Sequence, residues 1–243
     1  MNKIKDNFTK YFYIFLVYAI IGWLYEVLWM RFAVSPFKWI NRGFLYGPYL
    51  PIYGFGMLLL YILLNKFINK KHLLSNKLYL TISSITITSF IYITIIEYTH
   101  SKIYNVLLFL KDYSIGLIIT NIIVLLLINI LIKLFPKLKK INTNIVLVFL
   151  FIWIIATLIE YIAHYIMAKY FNIILWDYTY DFLNINARVN FDASRNFAIG
   201  GTFLLYVVQP IINKLIKFMK NKTIITIILL IIIVIDFILS IIF

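Results

Sequence analysis

The sequence predicts an all-α fold, a polytopic bundle of about seven transmembrane helices, from three observations. Hydrophobic residues make up 63% of the 243 residues and charged residues only 13%, whereas a soluble domain is about half apolar and about a quarter charged. The apolar residues form continuous runs long enough to cross a bilayer as helices, unlike the short alternating segments of a membrane β-barrel. Lysines gather in alternate connections between these runs, as in proteins inserted by the positive-inside rule.

The hydropathy of the chain places the spans at residues 8–30, 47–65, 78–100, 113–135, 144–169, 196–213 and 223–243. The segment 31–46 is too polar and too interrupted to cross a bilayer. A basic N-terminal segment precedes the first run, but no small-residue cleavage site follows it, so we expect a retained first helix. We treat residues 1–243 as a single integral membrane domain.

The lysine distribution predicts a cytoplasmic N-terminus and an external C-terminus, hence a multi-pass protein of the plasma membrane. Fifteen lysines and one acid, Asp6, lie at the N-terminus and in the even-numbered connections, whereas the odd-numbered connections hold eight basic residues and seven acids. The fifteen are Lys3, Lys5, Lys10, Lys66, Lys70, Lys71, Lys77, Lys133, Lys137, Lys139, Lys140, Lys214, Lys217, Lys220 and Lys222. The net charge of +14 comes mainly from these lysines, which would attract the anionic headgroups of the lipid bilayer. Nucleic-acid binding is not expected, because no basic soluble segment is present.

The predicted outer side carries the residues suited to ligand binding. All four arginines lie there, and Glu26, Glu97 and Glu160 stand near the outer ends of spans one, three and five. Arginine forms planar, two-pronged bonds, and an acid at the membrane boundary needs hydration, a partner or a proton. We predict a substrate-binding polar cluster, in which Glu26 or Glu160 pairs with Arg42 or Arg188, made of Glu26, Arg42, Glu160, Trp176, Asp177, Asn184 and Arg188. The alternative is that the acids mark helix ends and the tryptophans anchor the interface.

The stretch Asn41–Gly56 holds four of the eight glycines and two of the five prolines. Its structural turn is predicted to lead into the second span and to consist of Gly43, Gly47, Pro48, Pro51, Gly54 and Gly56. Proline is tolerated in a first helical turn, and the two later glycines permit either close helix approach or a break in the helix. A helix N-terminus exposed in this way suits an anion.

No sequence motif assigns catalytic chemistry. The chain has no cysteine, no P-loop, no G-x-S-x-G elbow and no H-E-x-x-H, so no catalytic residue, cofactor or metal is predicted. Glu97 with His100, and Glu160 with His164, have spacings that permit a shared helix face, but no third ligand can be named. Asp236, in the last span, has no evident partner. The pairs Glu97-Tyr98 with "DYS" and Glu160-Tyr161 with "DYT" suggest a repeated helix–outer loop–helix unit.

These motifs resemble the CmpB-like family of bacterial ABC-transporter permeases (type IV). The matching elements are "GWLYEV" from Gly22, "NRGFLYGPYLPIYGFG" from Asn41, "WDY", N-x-N-x-R and Pro210, over about residues 10–215, with the span 223–243 beyond them. Thr179 and Ala187 stand where the family pattern has Ser and Gly. The chain has two more spans than the compact form of the family, which contains a single Glu-Tyr helix. Either Glu97 or Glu160 could therefore correspond to the glutamate of that helix, and the Trp-Asp-Tyr spacing favours Glu160.

The resemblance implies a transporter permease-like subunit that works with a separate ATPase on its cytoplasmic face. The short cytoplasmic loops contain no evident coupling helix. Two other functions remain open: a membrane enzyme acting on lipid or envelope precursors, with paired carboxylates as acid and base, and a non-catalytic accessory protein. The substrate is not predicted.

Overall fold

The computed structural model describes residues 2–34, 39–43, 45–69, 76–100, 103–135 and 144–242. The regular elements there are helices: α1 (Asn2–Trp29), α2 (Pro51–Asn69), α3 (Asn76–Thr99), α4 (Val106–Leu134), α5 (Asn144–Phe171), α6 (Phe191–Phe203), α7 (Gln209–Phe218) and α8 (Lys222–Ile242). Two π-helical turns, Met30–Val34 and Leu204–Val208, extend α1 and join α6 to α7. The predicted class, an all-α polytopic membrane bundle, is confirmed.

Each predicted span corresponds to a helix, and in the described residues six helical segments are long and apolar enough to cross a membrane. The apolar part of α2, Pro51–Asn65, is shorter. The complete α2 has 19 residues, which corresponds to about 28 Å, close to the thickness of a bilayer core, about 30 Å. The orientation stays a prediction. Lys70, Lys71, Lys137, Lys139 and Lys140, and the side chains of Lys3, Lys5, Lys66 and Lys77, lie outside the described residues.

The chain divides into two compact units, one of Met1–Leu63 with Leu204–Phe243 and one of Leu64–Phe203. We call them the terminal unit and the central unit. Their boundaries fall inside α2 and where α6 meets the second π-helical turn.

The terminal unit is organised around α1, which packs on α7 and α8. Its buried Tyr18 hydroxyl lies 3.0 Å from Gln209 Oε1 and 3.1 Å from the Leu204 carbonyl oxygen, either of which accepts its proton. The π-helical turn Leu204–Val208 and Pro210, which has no N–H, interrupt the regular hydrogen bonding at the start of α7. Tyr18 therefore connects α1 to this irregular segment.

Glycines let α1 and α2 approach closely within the terminal unit. A Cβ atom at Gly22 would lie 2.3 Å from Tyr53 Cγ, and one at Gly54 would lie 2.7 Å from the Phe15 carbonyl oxygen. No described atom lies within 4 Å of the same position at Gly56. Gly54 and Gly56 are inside α2, which begins at Pro51, so assigning them to the structural turn was wrong. The helix continues through both, and close approach at Gly54 explains the glycine there.

The central unit contains α3 to α6 and a core of aromatic rings. Phe182, in the loop after α5, lies with its ring centroid 6.0 Å from that of Phe191 and 6.5 Å from that of Phe109. The backbone N–H groups of Leu183 and Asn184 donate to the carbonyl oxygens of Ile103 (3.0 Å) and Tyr104 (2.8 Å). Because a buried ring and backbone hydrogen bonds hold this loop, it presents its polar side chains in fixed positions.

Candidate functional site

In the terminal unit, Asp236 of α8 fixes the loop that precedes α2. Its carboxylate accepts the backbone N–H groups of Tyr46 and Gly47, both at 3.1 Å, and the Tyr49 hydroxyl at 2.5 Å. Gly43 adopts φ +88°, a left-handed conformation that glycine adopts readily, so Gly43, Gly47 and Pro48 shape the bend before Pro51. No partner of Asp236 was predictable, because its partners lie about 190 positions away in the chain.

Glu26 and Arg42 come together beside this loop. Arg42 Nε lies 3.7 Å from Glu26 Oε2, and the two side chains are 43% and 24% exposed. The Tyr53 hydroxyl donates to Glu26 Oε1 at 2.5 Å. Glu26 is therefore held by a short hydrogen bond, whereas Arg42 has a loose, half-exposed ion pair.

A cavity of about 290 Å³ opens in the same part of the terminal unit. Its lining is mainly apolar and aromatic: Trp23, Val27, Trp39, Ile40, Asn41, Tyr46 and Pro48. The Trp23 Nε1–H donates to Asn41 Oδ1 at 2.6 Å, so Asn41, next to Arg42, is fixed at the cavity wall. Sequence reasoning missed Trp23 and Tyr46, and treated Trp39 only as an interfacial anchor. The available signal was the helical spacing of Trp23 and Glu26.

In the central unit, the loop after α5 packs over the C-terminal part of that helix. Tyr178 donates its hydroxyl proton to Glu160 Oε1 at 3.1 Å, and the Trp176 ring lies 5.5 Å from the His164 ring, centroid to centroid. The Trp176 Nε1–H donates to the Arg188 carbonyl oxygen at 2.6 Å. We call Trp176 and Tyr178 the aromatic cover of Glu160 and His164.

Arg188 binds tyrosines. Its Nη1 donates to the Tyr161 hydroxyl at 2.9 Å, and its guanidinium lies 5.2 Å and 5.1 Å from the ring centroids of Tyr161 and Tyr165. Within the described part of the chain no ion pair joins Arg188 to Glu160, so the structure does not contain that predicted pairing. Cation–π contact takes the place of a carboxylate.

Asp177 and Asn184 stabilise the fold of the loop. The side-chain hydroxyl and the backbone N–H of Thr179 donate to Asp177 and hold the pKa of that exposed carboxyl below its usual value. Asn184 Nδ2 donates to the Tyr104 carbonyl oxygen at 2.7 Å, and its Oδ1 accepts from the Ala187 N–H. Both predicted ligand-binding residues therefore already have partners within the loop.

A second group of charged residues in the central unit forms ion pairs within the group. The Arg195 guanidinium forms ion pairs with Glu97 and Asp192, and it lies 5.3 Å from the ring centroid of Phe191. The side chains of Arg195 and Glu97 are only 20% and 13% exposed. This network connects α3 to α6, and sequence reasoning left it out of the site because Glu97 and Arg195 are 98 positions apart.

Comparison with known proteins decides the family. The family model described as "Putative ABC-transporter type IV" (ABC_trans_CmpB) matches residues 13–115 and 109–241. The chain belongs to this family. No curated protein and no solved structure matches it. Together with the apolar helices, family membership makes the chain a transporter-like, multi-pass membrane protein.

The family match extends past residue 215, where we expected the resemblance to end, and includes α8 with Asp236. Ala187 has φ +56°, which explains why a glycine suits that position in the ABC-transporter family pattern. Glu97 is paired with Arg195, whereas Glu160 contacts the aromatic cover. The two glutamates thus have different environments, and which of them is the functional family glutamate stays a prediction.

Proposed function

We propose that this protein is a permease-like subunit of an ATPase-driven transporter of the plasma membrane, with its ligand-binding cluster on the outer side. The ABC-transporter family supports the transport class, and the lysine distribution supports the orientation. The chain has no P-loop, so a separate ATPase subunit would supply the energy of transport.

The observation that carries the ligand-binding proposal is Arg42 beside the aromatic cavity. Its single ion pair, at 3.7 Å, is longer than a hydrogen bond. Within the described residues its guanidinium makes no hydrogen bond, which leaves its N–H groups available. A guanidinium next to apolar walls suits an amphipathic anion, with a carboxylate or phosphate at Arg42 and an apolar body against Trp23 and Trp39.

A separate group of residues proposed to bind ligand belongs to the central unit and consists of Glu160, Trp176, Asp177, Asn184 and Arg188. Trp176, Asn184 and Arg188 hold the outer loop in shape. Glu160 keeps one carboxylate oxygen without a hydrogen-bond partner, and Asp177 is exposed. The exposed Asp177 carboxylate can therefore contact a ligand directly, whereas the buried Glu160 carboxylate could do so only after the aromatic cover moves.

The ligand-binding proposal is tested by titrating the purified full chain with octyl phosphate and following tryptophan fluorescence. Arg42→Gln should weaken binding about tenfold, equivalent to about 1.4 kcal/mol, because it removes a charged hydrogen-bond donor. Octylamine, which carries the opposite charge, should bind no better than an uncharged alkyl chain. Lys111→Gln, at an exposed lysine of α4, is the charge-matched control. Equal octyl phosphate affinity of Arg42→Gln and wild type would exclude Arg42 as the anion-binding residue.

The partner proposal needs a separate experiment. The tagged chain is expressed in its native organism, crosslinked in intact cells and purified in mild detergent. The proteins that co-purify with it are then identified. An ATPase with a P-loop, recovered in a fixed ratio to the chain, is the expected result. Reproducible recovery of a different integral protein, with no ATPase, would favour the accessory-protein function instead.

A further inference from the structure

Two buried side chains on the outer part of α5 have polar atoms that the fold leaves without partners. Glu160 and His164 are only 8% and 6% exposed. Glu160 Oε2 and both ring nitrogens of His164 have no hydrogen-bond partner. The residues are four positions apart, so they occupy one face of the helix. Buried polar atoms are almost always hydrogen-bonded, and three exceptions on one face indicate a site.

The groups that face this pair from the outer loop do not neutralise it. The Tyr178 hydroxyl donates to Glu160 Oε1, and the ring of Trp176 lies against His164. Asp177 is acidic and bonds Thr179, and Asp181 accepts from Asn190. Arg188 has its guanidinium on Tyr161 and Tyr165.

The helices packed on α5 do not supply a counter-ion either. On α3 and α6, Glu97, Asp192 and Arg195 pair with one another, and His100 contacts Thr99. On α5 itself, Lys169 donates to the Tyr165 hydroxyl at 2.8 Å. Among the described residues, Glu160 therefore has no cationic partner.

Glu160 Oε2 and the ring nitrogens of His164 are better suited to bind a proton than a metal ion. Metal ions in proteins usually take three or more protein ligands, and the described residues contain no group of three His, Cys, Asp or Glu placed to hold one. A proton needs one lone pair and no additional volume. A carboxylate buried without a cation is unfavourable, and adding a proton removes that charge.

We propose that Glu160 and His164 form a proton-binding pair, and that loss of the proton to the outer solution loosens the aromatic cover of Trp176 and Tyr178. With the proton bound, Glu160 is uncharged and stays buried beneath Tyr178. After its release the carboxylate requires water, which enters only when the cover moves. The closed cover is thus favoured at lower pH and is lost as the pH rises. This inference does not depend on the proposed transport function.

The test is a pH titration of the purified full chain in lipid nanodiscs. Trp176 emission, obtained as the difference between wild type and Trp176→Phe, should change in a single step, because the indole lies on His164 and would become exposed to water. Glu160→Gln, which cannot ionise, should remove the step, and His164→Gln should move its midpoint. Asp112→Asn, an exposed acid of α4, should retain the wild-type curve. An unchanged step in Glu160→Gln would overturn the proposal.

Infrared difference spectroscopy on the wild-type chain covers the case in which a variant does not fold. The C=O stretch of a protonated carboxyl should disappear over the same pH range as the fluorescence step. If no carboxyl band titrates with that step, the pair does not bind the proton and the proposal fails.

Discussion

The two units place Glu and Arg side chains of the predicted outer side in opposite environments. In the terminal unit, Glu26 and Arg42 form a loose, partly exposed pair next to a cavity. In the central unit, Arg195 is enclosed by Glu97 and Asp192, and Glu160 lies buried beneath the aromatic cover. Glu26 and Arg42 thus remain accessible to a ligand, whereas Arg195 and Glu97 of the central unit are used by the fold.

The difference shows why charge alone does not identify a binding residue. Arg188 was predicted as a ligand-binding residue, but Tyr161 and Tyr165 occupy its guanidinium. Arg42 differs because its nearest carboxylate is 3.7 Å away. Availability of the donor groups, rather than the presence of an arginine, makes Arg42 the preferred candidate.

The strongest way to break the closed network is Arg195→Met. The substitution leaves Glu97 and Asp192 without their cation, and we expect a loss of about 3 kcal/mol, at the lower end for broken buried pairs. An unfolding titration in sodium dodecyl sulfate measures the change. Lys111→Met, at an exposed position, should stay within about 0.5 kcal/mol of wild type. If Arg195→Met behaves like this control, the network does not contribute to stability.

Substitution of Gly54 and Gly56 tests the packing of α1 against α2 in the terminal unit. Gly54→Ala places a methyl group against the Phe15 carbonyl oxygen and should cost about 2 kcal/mol through overpacking. Gly56→Ala, where space is open, should be neutral or stabilising by up to about 1 kcal/mol, from helix propensity. The same unfolding titration applies. Equal effects at both positions would contradict the close approach of α1 and α2.

A smaller effect is expected when the loop beside the cavity loses its anchor. Asp236→Ala removes the acceptor of the Tyr46 and Gly47 N–H groups and should cost about 1 to 2 kcal/mol, because water partly replaces it. Hydrogen exchange should become faster at these two amides, and less so in Asp236→Asn, which keeps one acceptor oxygen. Unchanged exchange in Asp236→Ala would show that α8 does not hold the loop.

The helical class was predictable because apolar runs are local in the sequence, and all seven predicted spans are helices. Contacts between distant residues were not predictable. Asp236 bonds a loop 190 positions away, and a lone acid in an apolar run gives no signal of such a partner. Gly54 and Gly56 look equivalent in the sequence, and only the approach of α1 distinguishes them. Composition predicted which residues lie on the outer side, but it could not predict which of their polar groups the packing leaves without partners.

The Glu26–Arg42 pair and the aromatic cover are both predicted to face the outer solution. The chain contains no cysteine, so single cysteines can be labelled in intact cells with a membrane-impermeant maleimide. Tyr46→Cys and Tyr180→Cys, at positions 60% and 79% exposed, should react at once, whereas Lys220→Cys should react only after permeabilisation. Immediate labelling of Lys220→Cys, with Tyr46→Cys and Tyr180→Cys protected until permeabilisation, would contradict the account.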